Sequence, residues 1–360
     1  MIASPDFTTF AVALLASTIL IVPIRRFALY YGVVDNPGPR KVHAKPVPLL
    51  GGIAIYLGFV LATCLAFHGE LQRQTAGILA GGTLLAIVGL LDDRGLLHHQ
   101  IKLFVGMPLA AVLLLASGVR ARLFSGFLPG PSGLLLDGCF TLLWIVGITA
   151  SFGILDHLDG LCAGIAAVAA AFFTMAATLN GQTMVRTLGA AAFGAALGFL
   201  LWNFNPAKIF MGDGGAMLLG FLMATLGVKV HPDGAQSPVS WLAPVLILGV
   251  PILDTTLISI SRSRRGMLPF TSPGKDHTAH RLSNLGLGHR GAVIAMYCAA
   301  VLFGFLGLLV AHISAPMLCL LLVAILAFAG VAIWRLERAP YERQAKQTRP
   351  SSHAAQAAGA

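Results

Sequence analysis

Long apolar stretches recur along this chain of 360 residues, and they constrain its fold more than any other feature. A helix needs about 20 mostly apolar residues to cross the hydrocarbon core of a bilayer. Lipid offers no partners to backbone amides, so each crossing segment must satisfy its own hydrogen bonds, as a helix does. The sequence therefore predicts an all-α membrane protein with about eleven transmembrane helices. The predicted spans are roughly 8–24, 48–67, 75–91, 101–117, 136–153, 160–179, 185–202, 215–231, 240–261, 291–313 and 316–334.

The composition excludes an ordinary soluble protein. Hydrophobic residues make up 57% of the chain and charged residues 11%, whereas soluble domains carry roughly 25% charged residues. We expect residues 1–339 to form a single polytopic membrane domain and residues 340–360 to form a disordered cytosolic tail. The first span ends on Arg25 and Arg26, so it is predicted to be a retained helix rather than a signal peptide. The five cysteines show no CxxC spacing, which argues against a disulfide framework or a cysteine-based zinc site.

The distribution of basic residues predicts the orientation of the helices. If the N-terminus lies outside, alternate loops and the C-terminal tail lie inside and hold 19 of the 24 Lys and Arg residues. Cytoplasmic loops of membrane proteins are enriched in these residues. The sequence thus predicts an outside N-terminus and an inside C-terminus, with Arg120 and Arg122 as exceptions in an outside loop. The segments predicted to lie inside are 25–47, 92–102, 154–159, 203–214, 262–290 and the tail from 335.

The net charge of +10 raises the question of nucleic-acid binding. However, the basic residues follow the loops on one side of the predicted membrane helices. Basic residues next to a bilayer favour anionic lipid head groups. We therefore expect membrane lipids, and no nucleic acid, as partners of these segments.

The acidic residues gather on the same predicted face. Ten of the fourteen Asp and Glu residues lie in inside loops or at inner helix ends. Solvation of short polar loops is the simpler explanation, but Asp156, Asp159, Asp213 and Asp254 adjoin apolar runs, where ionisable groups are costly and usually functional. Several carboxylates at one membrane face indicate a hard cation, with Mg²⁺ preferred and Mn²⁺ as an alternative.

Three inside loops combine turn-forming residues with basic donors. The loop 25–47 contains Lys41 and His43, and the loop 203–214 contains Lys208 before a Gly-Asp-Gly-Gly run at 212–215. Glycines beside an aspartate let backbone amides approach a phosphate, although Gly-Asp-Gly is also an ordinary turn. If the segment after residue 275 is helical, it places three basic side chains on one face. These side chains are His277, His280 and Arg281.

Taken in order, five blocks resemble the polyprenyl-phosphate N-acetylhexosamine-1-phosphate transferases, the glycosyltransferase 4-like family. The resemblance covers about residues 30–295, and together the five blocks are highly specific. The blocks are Asp35-Asn36-Pro37 to Gly52, Leu91 to Leu96 followed by Lys102, Leu155 to Leu161, Pro206 to Asp213, and Pro251 to Asp254 with Asp276 to Arg281.

The resemblance implies transfer of a sugar 1-phosphate from a UDP-sugar to undecaprenyl phosphate, with release of UMP and with Mg²⁺ as cofactor. Such a reaction initiates a lipid-linked cell-envelope glycan. It takes place in the bacterial cytoplasmic membrane, with the active-site loops facing the cytosol.

The resemblance also implies roles for individual residues. Catalytic roles fall to Asp92, Asp93, Asp156 and Asp159, and metal binding to Asp213 and Asp156. The implied substrate contacts are Lys102, Lys208, His277, His280, Arg281, Lys41 and His43. His157, Asp254 and Asn203 are further candidates without an assigned role.

Several positions depart from the family pattern. The usual Asn-x-x-Asn block has Ala150 and Gly153, the Asp-Gly-Leu-Asp block has His157 in place of glycine, and Ala279 replaces a histidine. Leu49, Gly214 and Ala216 also differ from the common residues. All the carboxylates are retained, so we interpret the chain as a divergent enzyme with altered substrate choice. In this hypothesis His157 stands in for part of the lost polar groups.

Two alternatives stand beside the enzyme, and the first of them follows from the same departures. One is a catalytically impaired homologue that binds lipid-linked sugar or nucleotide sugar. The other, a transporter, fits less well because transporters place charged groups near the bilayer midplane. The sequence leaves the sugar and the oligomeric state open.

Overall fold

A computed structural model describes residues 5–37, 46–68, 71–97, 99–230, 239–267 and 274–339. Lys41, His43 and the predicted tail 340–360 lie outside these residues. The described part contains eleven helices of at least 10 residues. They are α1 (Pro5–Tyr30), α2 (Gly51–Ala66), α3 (Arg73–Asp93), α4 (Met107–Ala116), α5 (Pro131–Leu155), α6 (Leu161–Leu179), α7 (Thr183–Asn203), α8 (Gly212–Lys229), α9 (Gly249–Arg264), α10 (Gly288–Leu309) and α11 (Ala315–Glu337).

Shorter elements connect these helices. A helix at His99–Ile101 and a π-helical turn at Lys102–Gly106 lead into α4, and a helix at Leu242–Ile247 precedes α9. A helix at Thr278–Leu282 and a second π-helical turn at Ser283–Leu287 lead into α10. A 3-10 turn, Val310–His312, follows α10, and two short strands are β1 (Val34–Asp35) and β2 (Val47–Pro48).

Each predicted span overlaps a helix, which confirms the prediction of an all-α membrane protein. Seven helices in the described residues are long and apolar enough to cross a membrane. The predicted count of eleven crossings and their orientation stay predictions. The seven candidate spans are Asp6–Tyr30, Arg73–Asp93, Pro131–Leu155, Leu161–Leu179, Thr183–Asn203, Thr278–Leu309 and Pro316–Glu337.

Helix α8 lies at the centre of the bundle. It packs against α2, α3, α5, α6 and α7, and nearly all of its residues are buried. Two glycine pairs allow this close approach: a β-carbon on Gly89 would lie 2.1 Å from the Cα of Gly214, and one on Gly52 would lie 2.5 Å from the nitrogen of Gly215. The first turn of α8 is therefore fixed between α2 and α3.

The segments that precede α2 and α8 are joined by backbone hydrogen bonds. Strands β1 and β2 pair antiparallel. The amide of Phe210 donates to the carbonyl oxygen of Pro48 at 2.9 Å, and the amides of Gly51 and Gly52 donate to the carbonyl oxygens of Phe210 and Met211 at 2.9 Å. These bonds hold the start of α8 against the start of α2, at the end of the bundle where the predicted site residues lie.

Candidate active site

An acidic group of residues forms where α3 ends, α8 begins and the first π-helical turn starts. Asp92 and Asp93 end α3, Asp213 lies in the first turn of α8, and Lys102 opens the π-helical turn. The Nζ atom of Lys102 lies 2.7 Å from Oδ2 of Asp92 and also forms a short ion pair with Asp213. One ammonium thus bridges two carboxylates that are 121 residues apart in the chain.

The carboxylate of Asp93 is directed at the backbone of Asp213 and holds that residue in position. The amide of Asp213 donates to Oδ1 of Asp93 at 2.9 Å. Gly212 has a φ of 71°, and a β-carbon there would lie 2.2 Å from Oδ2 of Asp93. The sequence suggested that amides of the Gly-Asp-Gly-Gly run approach a phosphate. That suggestion is wrong for the amide of Asp213, because the Asp93 carboxylate already accepts its hydrogen.

Asp156 directly follows α5 and joins this group electrostatically. Its side chain is partly buried. Withdrawal from water, followed by the negative charges of Asp213, Asp93 and Asp159, raises the pKa of Asp156 to about 8. These three carboxylates are near enough to Asp156 to repel its ionised form. We name Asp92, Asp93, Asp156, Asp213 and Lys102 the acidic cluster.

The donor set of the acidic cluster fits a hard divalent cation. Its four carboxylates carry more negative charge than the one ammonium of Lys102 neutralises. A protein usually binds Mg²⁺ with one or two carboxylates, and water and substrate phosphates complete the coordination shell. Asp213 and Asp156 therefore offer a chemically suitable site for that ion.

Asp159 and Asn203 brace the loops beside the acidic cluster. Oδ2 of Asp159 accepts hydrogen bonds from Nδ2 of Asn205 and the amide of Ala207, both at 3.0 Å. The buried Asn203 accepts from the amide of Gly160 at 3.0 Å and donates to the carbonyl oxygen of Ile209 at 2.9 Å. Both side chains therefore hold the segment 203–210 against the segment 156–160, and the amide of Asn203 is occupied on both sides.

Lys208 is the exposed cation of the same segment. Its ammonium lies 5.3 Å from the ring centroid of Trp202, and its carbonyl oxygen accepts a hydrogen bond of 3.1 Å from Nε of Arg25. The backbone is thus fixed while the ammonium remains at the surface. That placement suits contact with an anionic ligand from solution.

A second group of predicted residues surrounds the ring of His157. The rings of His157 and His277 stack with centroids 4.0 Å apart, and the ring of His280 lies 4.8 Å from that of His157. Asp254 is 1% exposed; its Oδ2 lies 3.2 Å from Nδ1 of His277, and its Oδ1 accepts the amide hydrogen of Thr278 at 2.7 Å. We name His157, His277, His280 and Asp254 the histidine cluster.

The sequence predicted that His277, His280 and Arg281 share one face of a helix. The helix begins only at Thr278, so His277 lies just outside it. His277 precedes the helix Thr278–Leu282 in an extended conformation, with a φ of −72° and a ψ of 158°. Its ring centroid lies 6.1 Å from that of His280.

Burial, and then the charge of His277, hold the pKa of His157 well below its usual range. His157 is therefore a neutral imidazole near neutral pH.

Arg281 lies wholly inside the protein. Its Nε donates to the carbonyl oxygen of Asp276 at 2.7 Å, its Nη1 to that of Leu336 at 2.6 Å, and its Nη2 to the hydroxyl of Ser261 at 2.8 Å. It also pairs with Glu337 at 3.1 Å. These contacts join α9, α11 and the helix Thr278–Leu282, so the structure gives Arg281 a positioning role in place of the predicted direct substrate contact.

Asp276 is matched by two arginines. Nη2 of Arg262 lies 2.9 Å from its Oδ1, and Nη2 of Arg265 lies 2.5 Å from its Oδ2. Burial alone would raise the pKa of Asp276, but the hydrogen bonds from the two arginines outweigh it and lower the pKa below its usual range. The carboxylate of Asp276 is therefore ionised and tied to the protein.

Two supporting residues have no sequence signal of their own. The hydroxyl of Tyr297, in the apolar helix α10, donates to the carbonyl oxygen of Gly160 at 2.5 Å. Nε of Arg290 donates to Oδ1 of Asn205 at 3.0 Å. Both residues brace the loops that Asp159 and Asn203 also hold. Only the nearness of these loops in space, and not their spacing in the chain, could have indicated them.

The departures from the family pattern have different structural consequences. A β-carbon on Gly153, three residues before Asp156, would meet no atom within 4 Å. Ala279, in contrast, is completely buried in the helix Thr278–Leu282. The protein therefore has room for a polar side chain at 153, whereas a histidine at 279 would require repacking.

The chain is similar in sequence to known proteins. A family model described as glycosyl transferase family 4 matches residues 75–231. A probable undecaprenyl-phosphate N-acetylglucosaminyl 1-phosphate transferase of Bacillus subtilis is 34% identical, with 82% of each chain covered. A decaprenyl-phosphate N-acetylglucosaminephosphotransferase of Mycolicibacterium smegmatis is 34% identical over 76% of this chain and 74% of the relative. The undecaprenyl-phosphate alpha-N-acetylglucosaminyl 1-phosphate transferase of Escherichia coli K12 is 28% identical over 87% and 86%, respectively.

Proposed function

This chain belongs to glycosyl transferase family 4, the polyprenyl-phosphate N-acetylhexosamine-1-phosphate transferases, and on that basis we propose its reaction. The protein transfers an N-acetylhexosamine 1-phosphate from a UDP-sugar to undecaprenyl phosphate and releases UMP. N-acetylglucosamine is the sugar named for each of the relatives compared above. The product is the lipid-linked start of a cell-envelope glycan.

The convergence of the acidic cluster at one end of the bundle is the observation that carries this proposal. Both substrates are phosphate anions, so their reaction depends on charge neutralisation and in-line positioning. Lys102 lies between Asp92 and Asp213, where its ammonium can neutralise an incoming phosphate oxygen. In this scheme Asp92 orients the lipid phosphate and accepts a proton from it.

A divalent cation, Mg²⁺ or Mn²⁺, is part of the proposal. Asp213 and Asp156 would hold it, and when bound it would polarise the pyrophosphate of the nucleotide sugar. Asp93 keeps Asp213 in place through the amide hydrogen bond of 2.9 Å. Asp159 would hold in place the segment that carries Lys208, because Asn205 and Ala207 of that segment both donate hydrogen bonds to its carboxylate.

The histidine cluster and Lys208 are proposed to face the nucleotide sugar. His277 and His280 lie at the start of the helix Thr278–Leu282, adjacent to the loop that carries Asp156. Lys41 and His43, which lie outside the described residues, are proposed to add cationic contacts. Arg281 supports this side of the site from within the protein.

The site is proposed to face the cytosol in a bacterial cytoplasmic membrane. The chain is a multi-pass membrane protein by its apolar helices. The nucleotide sugar is water-soluble and the acceptor is a lipid, so the reaction requires a site at the bilayer surface. The excess of basic residues in the same loops supports the cytosolic side.

A catalytically impaired binding protein is the second candidate. Ala150 and Gly153 favour it, because the family pattern has two amides there. Each buried hydrogen-bond partner left unpaired costs on the order of 1–3 kcal/mol. The retained carboxylates and the ion pairs of Lys102 favour the enzyme.

Release of UMP by detergent-solubilised protein separates the two candidates. The assay supplies undecaprenyl phosphate, Mg²⁺ and a panel of UDP-sugars, including UDP-N-acetylglucosamine. If the protein is the enzyme, it should release UMP with at least one UDP-sugar. Asp213→Asn or a chelator should abolish this release. If the whole panel gives no UMP while the protein and Asp213→Asn bind nucleotide sugar equally, the binding protein is the correct assignment.

A further inference from the structure

The histidine cluster, proposed above to face the nucleotide sugar, also contains a set of atoms that could bind a metal ion. One side-chain atom from each of His157, Asp254 and His277 lies within 4.8 Å of the other two. The three residues come from the loop after α5, from α9 and from the start of the helix Thr278–Leu282. They are nitrogen and oxygen donors, unlike the oxygen-only donors of the acidic cluster.

The hydrogen bonds of His157 identify which of its nitrogens is free to bind. Its Nδ1 lies 3.2 Å from the carbonyl oxygen of Ile154, and a carbonyl can only accept, so Nδ1 carries the hydrogen. Its Nε2 therefore carries a lone pair. That atom is buried and has no hydrogen-bond partner among the described residues. A buried acceptor without a partner is costly unless a ligand completes it.

Asp254 and His277 place two candidate ligand atoms next to one another. Oδ1 of Asp254 is fixed by the amide of Thr278 at 2.7 Å, while its Oδ2 lies 3.2 Å from Nδ1 of His277. A histidine that binds a metal commonly donates its second N–H to a carboxylate or a backbone carbonyl. His157 meets this pattern through Ile154. The 3.2 Å between Nδ1 of His277 and Oδ2 of Asp254 is close to the separation of two atoms bound to one zinc ion.

We propose that His157, His277 and Asp254 form a binding site for a borderline-soft divalent metal of the zinc class. Imidazole nitrogens suit Zn²⁺ and related ions, whereas carboxylate-only sites suit Mg²⁺. His280, with its ring 4.8 Å from that of His157, is the nearest additional ligand. The ion joins the loop after α5 to the helix Thr278–Leu282 and so fixes the histidines beside the acidic cluster.

The geometry requires a small adjustment on binding. Zinc bonds of about 2.0–2.1 Å at tetrahedral angles place ligand atoms about 3.4 Å apart. The rings of His157 and His277 are inclined by 26°, so they must rotate to aim their nitrogens at one point. The χ2 torsion of histidine has a broad energy profile, which permits this rotation.

Metal binding by the full-length protein tests the proposal without substrate and independently of transferase activity. The protein is purified in detergent without a polyhistidine tag, stripped with a chelator and titrated with Co²⁺ and then Zn²⁺. The wild type should bind one ion per chain, with a tetrahedral Co²⁺ absorption spectrum that excess Mg²⁺ leaves unchanged.

Two variants and two controls complete the test. His157→Gly and Asp254→Asn should weaken binding at least about tenfold. His312→Gln, at an exposed histidine after α10, and Asp213→Asn should bind as the wild type does. Equal binding by His157→Gly and the wild type, or no stoichiometric ion in the wild type, would overturn the proposal. If His157→Gly elutes as an aggregate, His157→Asn supplies the same comparison.

Discussion

The acidic cluster and the histidine cluster lie side by side, yet their charges are arranged in opposite ways. In the acidic cluster Lys102 pairs with two of the four carboxylates, and withdrawal from water, followed by the charges of its acidic neighbours, raises the pKa of Asp156. In and around the histidine cluster the acids are matched: Asp254 binds His277 and the amide of Thr278, and Asp276 lies between two arginines.

This difference separates carboxylates that need added cations from acids that are already matched by side chains and amides of the protein. Crowded carboxylates are costly until cations offset their repulsion, so the acidic cluster is suited to binding a metal and the phosphates bound to it. A matched network, in contrast, holds its side chains in fixed positions. We therefore expect substitutions in the first region to affect turnover, and substitutions in the second to affect stability or substrate choice.

Asp213→Asn should have the largest effect on turnover. It removes a charge from the proposed metal site and weakens the ion pair with Lys102, so UMP release should fall on the order of a thousandfold. Thermal stability should change little, since repulsion between carboxylates is relieved. The matched control is Asp6→Asn. Asp6 pairs with Arg186 in the first turn of α7, at the end of that helix away from Asn203 and the candidate site. Near-normal UMP release by Asp213→Asn would contradict the proposed role of the acidic cluster.

Arg281→Met should mainly lower stability. The change leaves two carbonyl oxygens and the Glu337 carboxylate without their buried partner, at a cost of ~3 kcal/mol in the free energy of unfolding. A lower melting temperature of the detergent-solubilised protein is the measurement. Arg264→Met serves as the control, because Arg264 is 70% exposed and its contact with Glu337 is 3.7 Å long. An unchanged melting temperature together with a raised KM for the UDP-sugar would restore Arg281 as a direct substrate contact.

Lys102→Met tests the one cation that the acidic cluster contains. Without the ammonium the cluster repels both anionic substrates, and UMP release should fall about 100-fold, or roughly 2.7 kcal/mol in activation free energy. Lys102→Arg should recover part of the activity because the positive charge is kept. Lys229→Met, at a lysine bound to Gln74 at the far end of α8, should behave as the wild type. Equal activity of the Met and Arg variants would show that charge at 102 is not required.

Hydropathy and short motifs predicted much of this structure because both are local properties. Every predicted span overlaps a helix, and the blocks around Asp92, Lys102 and Asp213 do meet in space. The sequence could not show which side chains become buried supports. Arg281 was predicted to contact the substrate and Asn203 was a candidate without an assigned role, but their polar atoms are bonded within the protein.

The histidine cluster was less predictable than the acidic cluster. His157 and His277 are 120 residues apart, and their stacking depends on how α5, α9 and α10 pack. The glycine run in the first turn of α8 had two explanations in sequence terms, phosphate binding or a turn. In the structure it serves close packing on α2 and α3 and the cap from Asp93. The missing amides at 150 and 153 could be found only by comparison with a family pattern.

Gly153→Asn should have the smallest effect on activity. Gly153 lies shortly before Asp156 of the acidic cluster and His157 of the histidine cluster. The side chain enters open space three residues before Asp156, so we expect no change in melting temperature. One new hydrogen bond of about 0.7 kcal/mol would alter KM for a UDP-sugar about threefold, and the preferred sugar of the panel should change accordingly. Gly153→Leu has a side chain branched at the same position but without the amide, and it should leave the preference unchanged. If Asn and Leu shift KM equally, bulk rather than the lost amide determines substrate choice at this position.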